Sequence, residues 1–172
     1  MKQTILRYGL LSGALAAVLM VGTALRIRSS MNFENEYIYG YAGILLSMLF
    51  VFFGVRSYRE QVNGGTLSFG KGFQVGLLIA IISCVCYSLA WMVIEKTLIP
   101  DFMEKFMQHS VAQMQQSGTS QAEIERQTTE MMQMKEMYEK PLIKFGLTFL
   151  EPFPVGFLVS LITAVVLRKQ AA

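Results

Sequence analysis

The sequence predicts an all-α polytopic membrane protein: a four-transmembrane-helix bundle with an extracytoplasmic helical hairpin between its third and fourth spans. Three observations predict it. Four apolar runs each approach the roughly 20 residues that a helix needs to cross the hydrocarbon core. Charged residues make up only 16% of the chain, against about 25% in a soluble domain, as expected if much of the surface faces lipid. Basic residues flank the runs and are nearly absent from their interiors.

The first run covers 5–25. Lys2 and Arg7 before it, with Gly22 and Ala24 near its end, also fit a secretory signal peptide. Its length and the immediate Arg26 and Arg28 favour a retained helix. The second run covers 37–55 and the third 73–94. The fourth apolar stretch starts at Leu142, and its crossing is placed at 146–167. No strand-like alternation suggests a barrel, so backbone satisfaction in lipid requires helices.

Orientation follows from Lys and Arg near the membrane. Lys2 and Arg7, then Arg56, Arg59 and Lys71, then Arg168 and Lys169 fall on one side of a four-crossing chain. The long segment 95–141 on the other side is net negative. Both termini are therefore expected in the cytoplasm of a bacterial cell, with the chain in the inner membrane. Tyr37, Tyr39, Tyr41 and Trp91 would form the outer aromatic belt, and Tyr8 and Tyr58 the inner one.

The segment 95–141 reads as the outer helical hairpin. Phe102, Met103, Phe106, Met107, Val111 and Met114 supply one amphipathic stretch. Ser117-Gly-Thr119 is a turn signal, and Ser120 with Glu123 fits a capping box for the second helix. Pro141 stops or kinks that helix at the fourth run.

Lipid tails give helices little hydrophobic reason to associate, so small residues that permit close approach do the work. Gly9 and Gly13 mark the first run. Gly72, Gly76 and Ala80 belong to a longer stripe in the third, and Gly156 and Ser160 mark the fourth. The stripes predict a tight bundle, and one of them could instead form a homodimer face.

Glu151-Pro-Phe-Pro154 is the most unusual local feature, because carboxylates and prolines are both costly in hydrocarbon. If the fourth helix enters near Gly146, Glu151 lies inside the membrane as a candidate ion or proton site, with Lys144 one heptad earlier on its face. The preferred reading starts the last crossing at Pro152, a favourable first helical position, and makes Glu151, Pro152 and Pro154 a hinge. Arg26, Arg28 or Lys144 could then pair with the carboxylate.

Seven of the twelve methionines lie between Met103 and Met137. Thioethers suit Cu(I), with His109 to assist, but a methionine stripe more often packs or meets a partner, so no metal site is assigned. Cys84 and Cys86 lie two apart and diverge on a helix. The loop holding Arg56, Arg59 and Lys71 is basic and glycine-rich but matches no phosphate-loop or dinucleotide fingerprint. Contact with anionic lipid or a cytoplasmic partner accounts for it. No nucleophile and base arrangement, no cofactor motif and no nucleic-acid footprint is visible.

Four ordered elements carry a resemblance: Gly54-Val-Arg-Ser-Tyr-Arg59, Gly64-Gly65 with Ser68-Phe-Gly-Lys71, Pro100-Asp-Phe-Met103, and Glu151-Pro-Phe-Pro-Val-Gly156. Together they resemble the domain-of-unknown-function family numbered 4199, over essentially the whole chain. The resemblance implies an uncharacterised membrane protein of Bacteroidota type, and supplies no activity or catalytic residues. The leading expectation is a non-enzymatic protein with a structural or partner-binding role, in contact with the lipid bilayer and with a homodimer or membrane-protein partner. One alternative is a small transporter or proton-coupled component centred on Glu151. Another is a periplasmic Met-rich metal-responsive protein.

Overall fold

A computed structural model describes residues 1–30 and 36–169, and among them all regular structure is helical. The helices are α1 (Lys2–Ser30), α2 (Glu36–Ser57), α3 (Phe69–Leu98), α4 (Phe102–Gln116), α5 (Gln121–Tyr138), α6 (Pro141–Leu150) and α7 (Phe153–Leu167). A π-helical turn, Tyr58–Val62, extends α2. Four helical segments are long and apolar enough to cross a membrane: Lys2–Ser29, Ile38–Val62, Phe69–Leu98 and Pro141–Leu167. The side chain of Tyr37, placed in the outer belt from sequence, lies outside the described residues.

Two differences from the sequence boundaries bear on the site. Helix α3 continues to Leu98, so Glu95 lies in its last turn rather than in the segment that follows. It stops where Ile99 leaves helical torsions (φ −140°, ψ 58°) just before Pro100, since proline disfavours helix in the residue before it. The fourth helical segment long and apolar enough to cross a membrane begins at Pro141, which sits at the first helical position of α6, where its missing N–H costs nothing.

The core is a tight bundle of α1, α2, α3 and α7. Helix α3 touches the other three, and α2 touches α7. Ile44, Met48, Val51, Val75 and Ile79 fill the centre with essentially no exposed surface. The outward faces carry Leu6, Val18, Leu46, Phe53, Val93, Ile162 and Val166, all exposed, as a lipid-facing surface requires.

The small-residue stripes are the contact surfaces. A Cβ added at Gly13 would lie 2.3 Å from the Cβ of Cys86, and one at Gly9 2.8 Å from that of Ile82. The third and fourth spans run antiparallel in a fixed register. Gly72 lies against Ala164, Gly76 against Ser160, and Ala80 against Gly156, where an added Cβ would meet the Ala80 methyl at 2.9 Å. The named stripes pack within the chain. At mid-bundle three helices are also tied by hydroxyls. Ser12 Oγ donates to the Ser47 carbonyl at 2.7 Å and lies 2.8 Å from Ser83 Oγ, with all three residues buried. Such interhelical bonds are worth roughly 0.6 kcal/mol each in lipid.

The chain ends of the bundle are pinned together. Leu67, fully buried, exchanges both backbone hydrogen bonds with Lys169, at 2.7 and 2.9 Å. Arg59 Nη1 donates to the Leu167 carbonyl at 3.3 Å. Tyr58 is buried with its hydroxyl on Asn63 Oδ1, so it is part of the core and not of an interfacial belt.

At the opposite end α4 and α5 pack against each other across a turn at Gly118, whose φ of +74° suits glycine. Ser120 Oγ accepts from the Glu123 N–H at 3.4 Å, as the capping box predicts. The Glu123 side chain does not reach back; it takes two hydrogen bonds from Arg126 instead.

Candidate functional site: a wedge at the proline step

Glu151 and Pro152 join α6 to α7. Both keep right-handed helical torsions (φ −65°, ψ −57° and φ −79°, ψ −17°), so the two helices form one kinked rod. The cause is local. Pro152 and Pro154 have no N–H to offer the carbonyls of Thr148 and Leu150, and each ring crowds the preceding turn. Glu151 and Pro152, where the sequence placed a hinge, form the break between α6 and α7. However, Glu151 does not begin an isolated last crossing, and Leu142 to Leu150 do not lie apart from the bundle. Helix α6 runs along α3: Lys144 bonds to Glu95, and seven residues further on Glu151 bonds to Tyr87. Leu142 is 88% exposed and Leu150 is also exposed, continuing the apolar outer surface of α7. Glu151 therefore sits about 10 Å along the bundle from the Lys144 level.

The helix neighbours change at the proline step. Helix α7 packs on both α2 and α3, whereas α6 packs on α3 and α5 and makes no more than marginal contact with α2 among the described residues. The gap is a wedge-shaped cavity of about 350 Å³. Its walls come from α1 (Ala16, Met20, Thr23), α2 (Tyr39, Gly40, Gly43) and α3 (Tyr87, Trp91). Phe102 and Phe106 of α4, with Tyr138, close it at the α4–α5 end. Thr148 and Glu151 form the α6 side. The volume falls within the ~300–1,000 Å³ range of small-molecule sites, and a mostly apolar lining with a few polar groups is their usual chemistry.

The polar groups are arranged in pairs. Tyr87 Oη donates to Glu151 Oε2 at 3.2 Å. Trp91 Nε1 donates to Tyr138 Oη at 2.5 Å, and the Trp91 and Phe102 rings meet edge to face with centroids 5.1 Å apart. Burial pushes the Tyr138 phenol up, an effect opposed by its hydrogen bonds with Trp91 and Thr148. Glu151 is the sole carboxylate among the described lining residues, and no lysine or arginine joins it there.

Two of the three basic candidates for pairing with Glu151, Lys144 and Arg26, make other contacts. Lys144 bonds to Glu95 and lies 4.8 Å from the centroid of the Tyr138 ring. Arg26 stacks on Tyr39 at 4.1 Å. Lys144 is therefore not the partner of Glu151 despite the heptad spacing, because Glu95 is closer along α3. Sequence reading missed Glu95 and Tyr87. With Trp91 they stand four apart on α3, one row on a single helix face, and that spacing was the available signal.

The other candidates fall outside the wedge. Arg56 and Arg59 both pair with Glu60, at 3.1 and 3.0 Å, and Lys71 Nζ donates to Gln74. All three lie at the end that holds Leu67 and Lys169. The methionines are dispersed: Met132, Met134 and Met137 are exposed on α5, while Met103, Met107 and Met114 are half-buried on α4. His109 is half-buried on α4 as well. Cys84 is buried near the α7 face and Cys86 lies against Gly13.

No curated protein matches the sequence. No solved structure matches it either. A protein-family model described as "Protein of unknown function (DUF4199)" matches residues 7–169, nearly the whole chain, and the protein belongs to that family.

Proposed function

We propose that this is a non-enzymatic membrane protein that binds a small, largely apolar molecule in the wedge beside Glu151, as a receptor or as one component of a transport step. The observation that carries the reading is the cavity itself, opened between α2 and α6 by the proline step and ending on the Tyr87–Glu151 hydrogen bond. Its hydroxyls, indole and single carboxyl suit holding a ligand. They offer no activated nucleophile beside a base, as hydrolytic chemistry requires.

The address we propose is a bacterial inner membrane with both termini cytoplasmic. Lys2, Arg56, Arg59, Lys71 and Lys169 gather at the end pinned by Leu67, and excess Lys and Arg mark the cytoplasmic side. The wedge then lies in the outer half of the bilayer, and its α2–α6 gap faces lipid. Helices α4 and α5 would project outward, and the exposed Met132, Met134 and Met137 support partner contact there.

Trp91 is the single tryptophan of the chain and lines the wedge, which makes a direct test available. Bromobenzene, a heavy-atom quencher, should quench Trp91 saturably in the full-length protein in phosphatidylcholine nanodiscs. Gly40→Leu should abolish the saturable part, because a Cβ at Gly40 meets nothing within 4 Å and a larger side chain extends into open space. Non-saturating quenching, equal in both proteins, would remove the basis for the reading.

A further inference from the structure

We infer that the ligand of the wedge is a lipophilic organic cation, a quaternary ammonium or protonated amine with an apolar body; this rests on the small-molecule-binding reading above. Two independent features converge on that class. The first is charge. Among the described lining residues Glu151 is the only carboxylate and none is a lysine or arginine, so that lining is complementary to one positive charge. Its hydrogen bond from Tyr87 holds the carboxyl at the α6 wall.

The second feature is the rings. Tyr39, Tyr87, Trp91, Phe102, Phe106 and Tyr138 supply six aromatic side chains to one cavity of about 350 Å³. Aromatic faces attract cations through their quadrupole, and clusters of them select quaternary ammonium groups. Two of these rings already attract cations: the Arg26 guanidinium lies 4.1 Å from the Tyr39 centroid and the Lys144 ammonium 4.8 Å from that of Tyr138. The local geometry thus favours ring–cation contact. A neutral apolar ligand would explain the rings but not the carboxyl on the cavity wall, and a carboxylate is costly to keep in a membrane span without a purpose. Entry is also consistent. If the α2–α6 gap opens to the bilayer, as the proposed address implies, it meets the layer where an amphipathic cation concentrates, with its charge near the headgroups and its body in the hydrocarbon.

The test uses an isosteric pair, phenyltrimethylammonium and tert-butylbenzene, which share shape and differ in charge. Each competes with bromobenzene for Trp91 quenching in full-length protein. The expected result is displacement by the cation at a concentration at least ten-fold below that of the neutral isostere. Glu151→Gln should weaken the cation at least ten-fold and leave tert-butylbenzene unchanged. Retained bromobenzene quenching in Glu151→Gln verifies that the variant is folded with its cavity open. Equal displacement by both probes, or an unaffected cation in Glu151→Gln, overturns the cation assignment while the cavity reading stands. If bromobenzene itself shows no saturable quenching, the cavity reading falls and the cation assignment falls with it.

Discussion

Lys144 donates its ammonium hydrogen bond to Glu95, across α6 and α3, and leaves Glu151, one heptad along its own helix, to the Tyr87 hydroxyl. That choice of partner fixes the register of the kinked span and keeps a cation out of the wedge. Glu95 is only 9% exposed, so removing Lys144 would leave a buried carboxylate without its salt-bridge partner. Replacing Lys144 by Ala should cost on the order of 3 kcal/mol, the usual penalty for stranding one member of a buried pair. The double replacement Glu95→Gln with Lys144→Met should recover most of it. Reversible unfolding in mixed micelles measures both, and a Lys144→Ala protein as stable as wild type contradicts the register.

Glycine substitutions should divide by position. Gly13→Ala places a methyl 2.3 Å from the Cys86 Cβ and forces α1 and α3 apart, so a loss of about 1–3 kcal/mol is expected, as for overpacked cores. Gly40→Ala meets nothing within 4 Å and should be neutral or slightly stabilising through helix propensity. The same unfolding assay separates them, and equal effects would contradict the packing of α1 on α3.

The Glu123 carboxylate in the first turn of α5 should stay ionised to unusually low pH. Hydrogen bonds from Arg126, and then from Gln127, hold the Glu123 carboxyl down to about 2 from an ordinary value of 4.5. A lowered folded-state pKa adds stability that is full above about pH 4.5 and is lost as pH falls toward 2. Carboxyl-carbon NMR of Glu123 should show the low midpoint, and Arg126→Ala should return it toward the ordinary range. An unchanged midpoint in that variant would assign the effect to another group.

Much of the fold was legible because the bilayer constrains it so strongly. Four apolar runs specify four helices, and the spacing of Gly72, Gly76 and Ala80 marks the face that meets Ala164, Ser160 and Gly156. The proline step was legible as a hinge, since missing N–H groups disrupt a helix wherever they fall. Its consequence was not. Whether a kink opens a cavity depends on which neighbour the displaced half leaves, here α2, and that is a tertiary fact. The partner of Glu151 was hidden for the same reason. A heptad places Lys144 and Glu151 on one face of their own helix but says nothing of the row Tyr87, Trp91 and Glu95 on α3. Tyr58 went astray because a tyrosine at the end of an apolar run reads as interfacial, whereas Leu67 and the returning chain at Leu167 and Lys169 cover it.

The central claim is causal: the prolines at 152 and 154 bend the fourth span, and the bend makes the ligand cavity. Replacing both by Ala restores the missing helix donors and should let α6 close on α2. Saturable quenching of Trp91 by bromobenzene is the direct readout. The account predicts clear saturation in the wild type and its loss in a folded, equally or more stable Pro152→Ala, Pro154→Ala protein. Saturable quenching of the same strength in both proteins would contradict it.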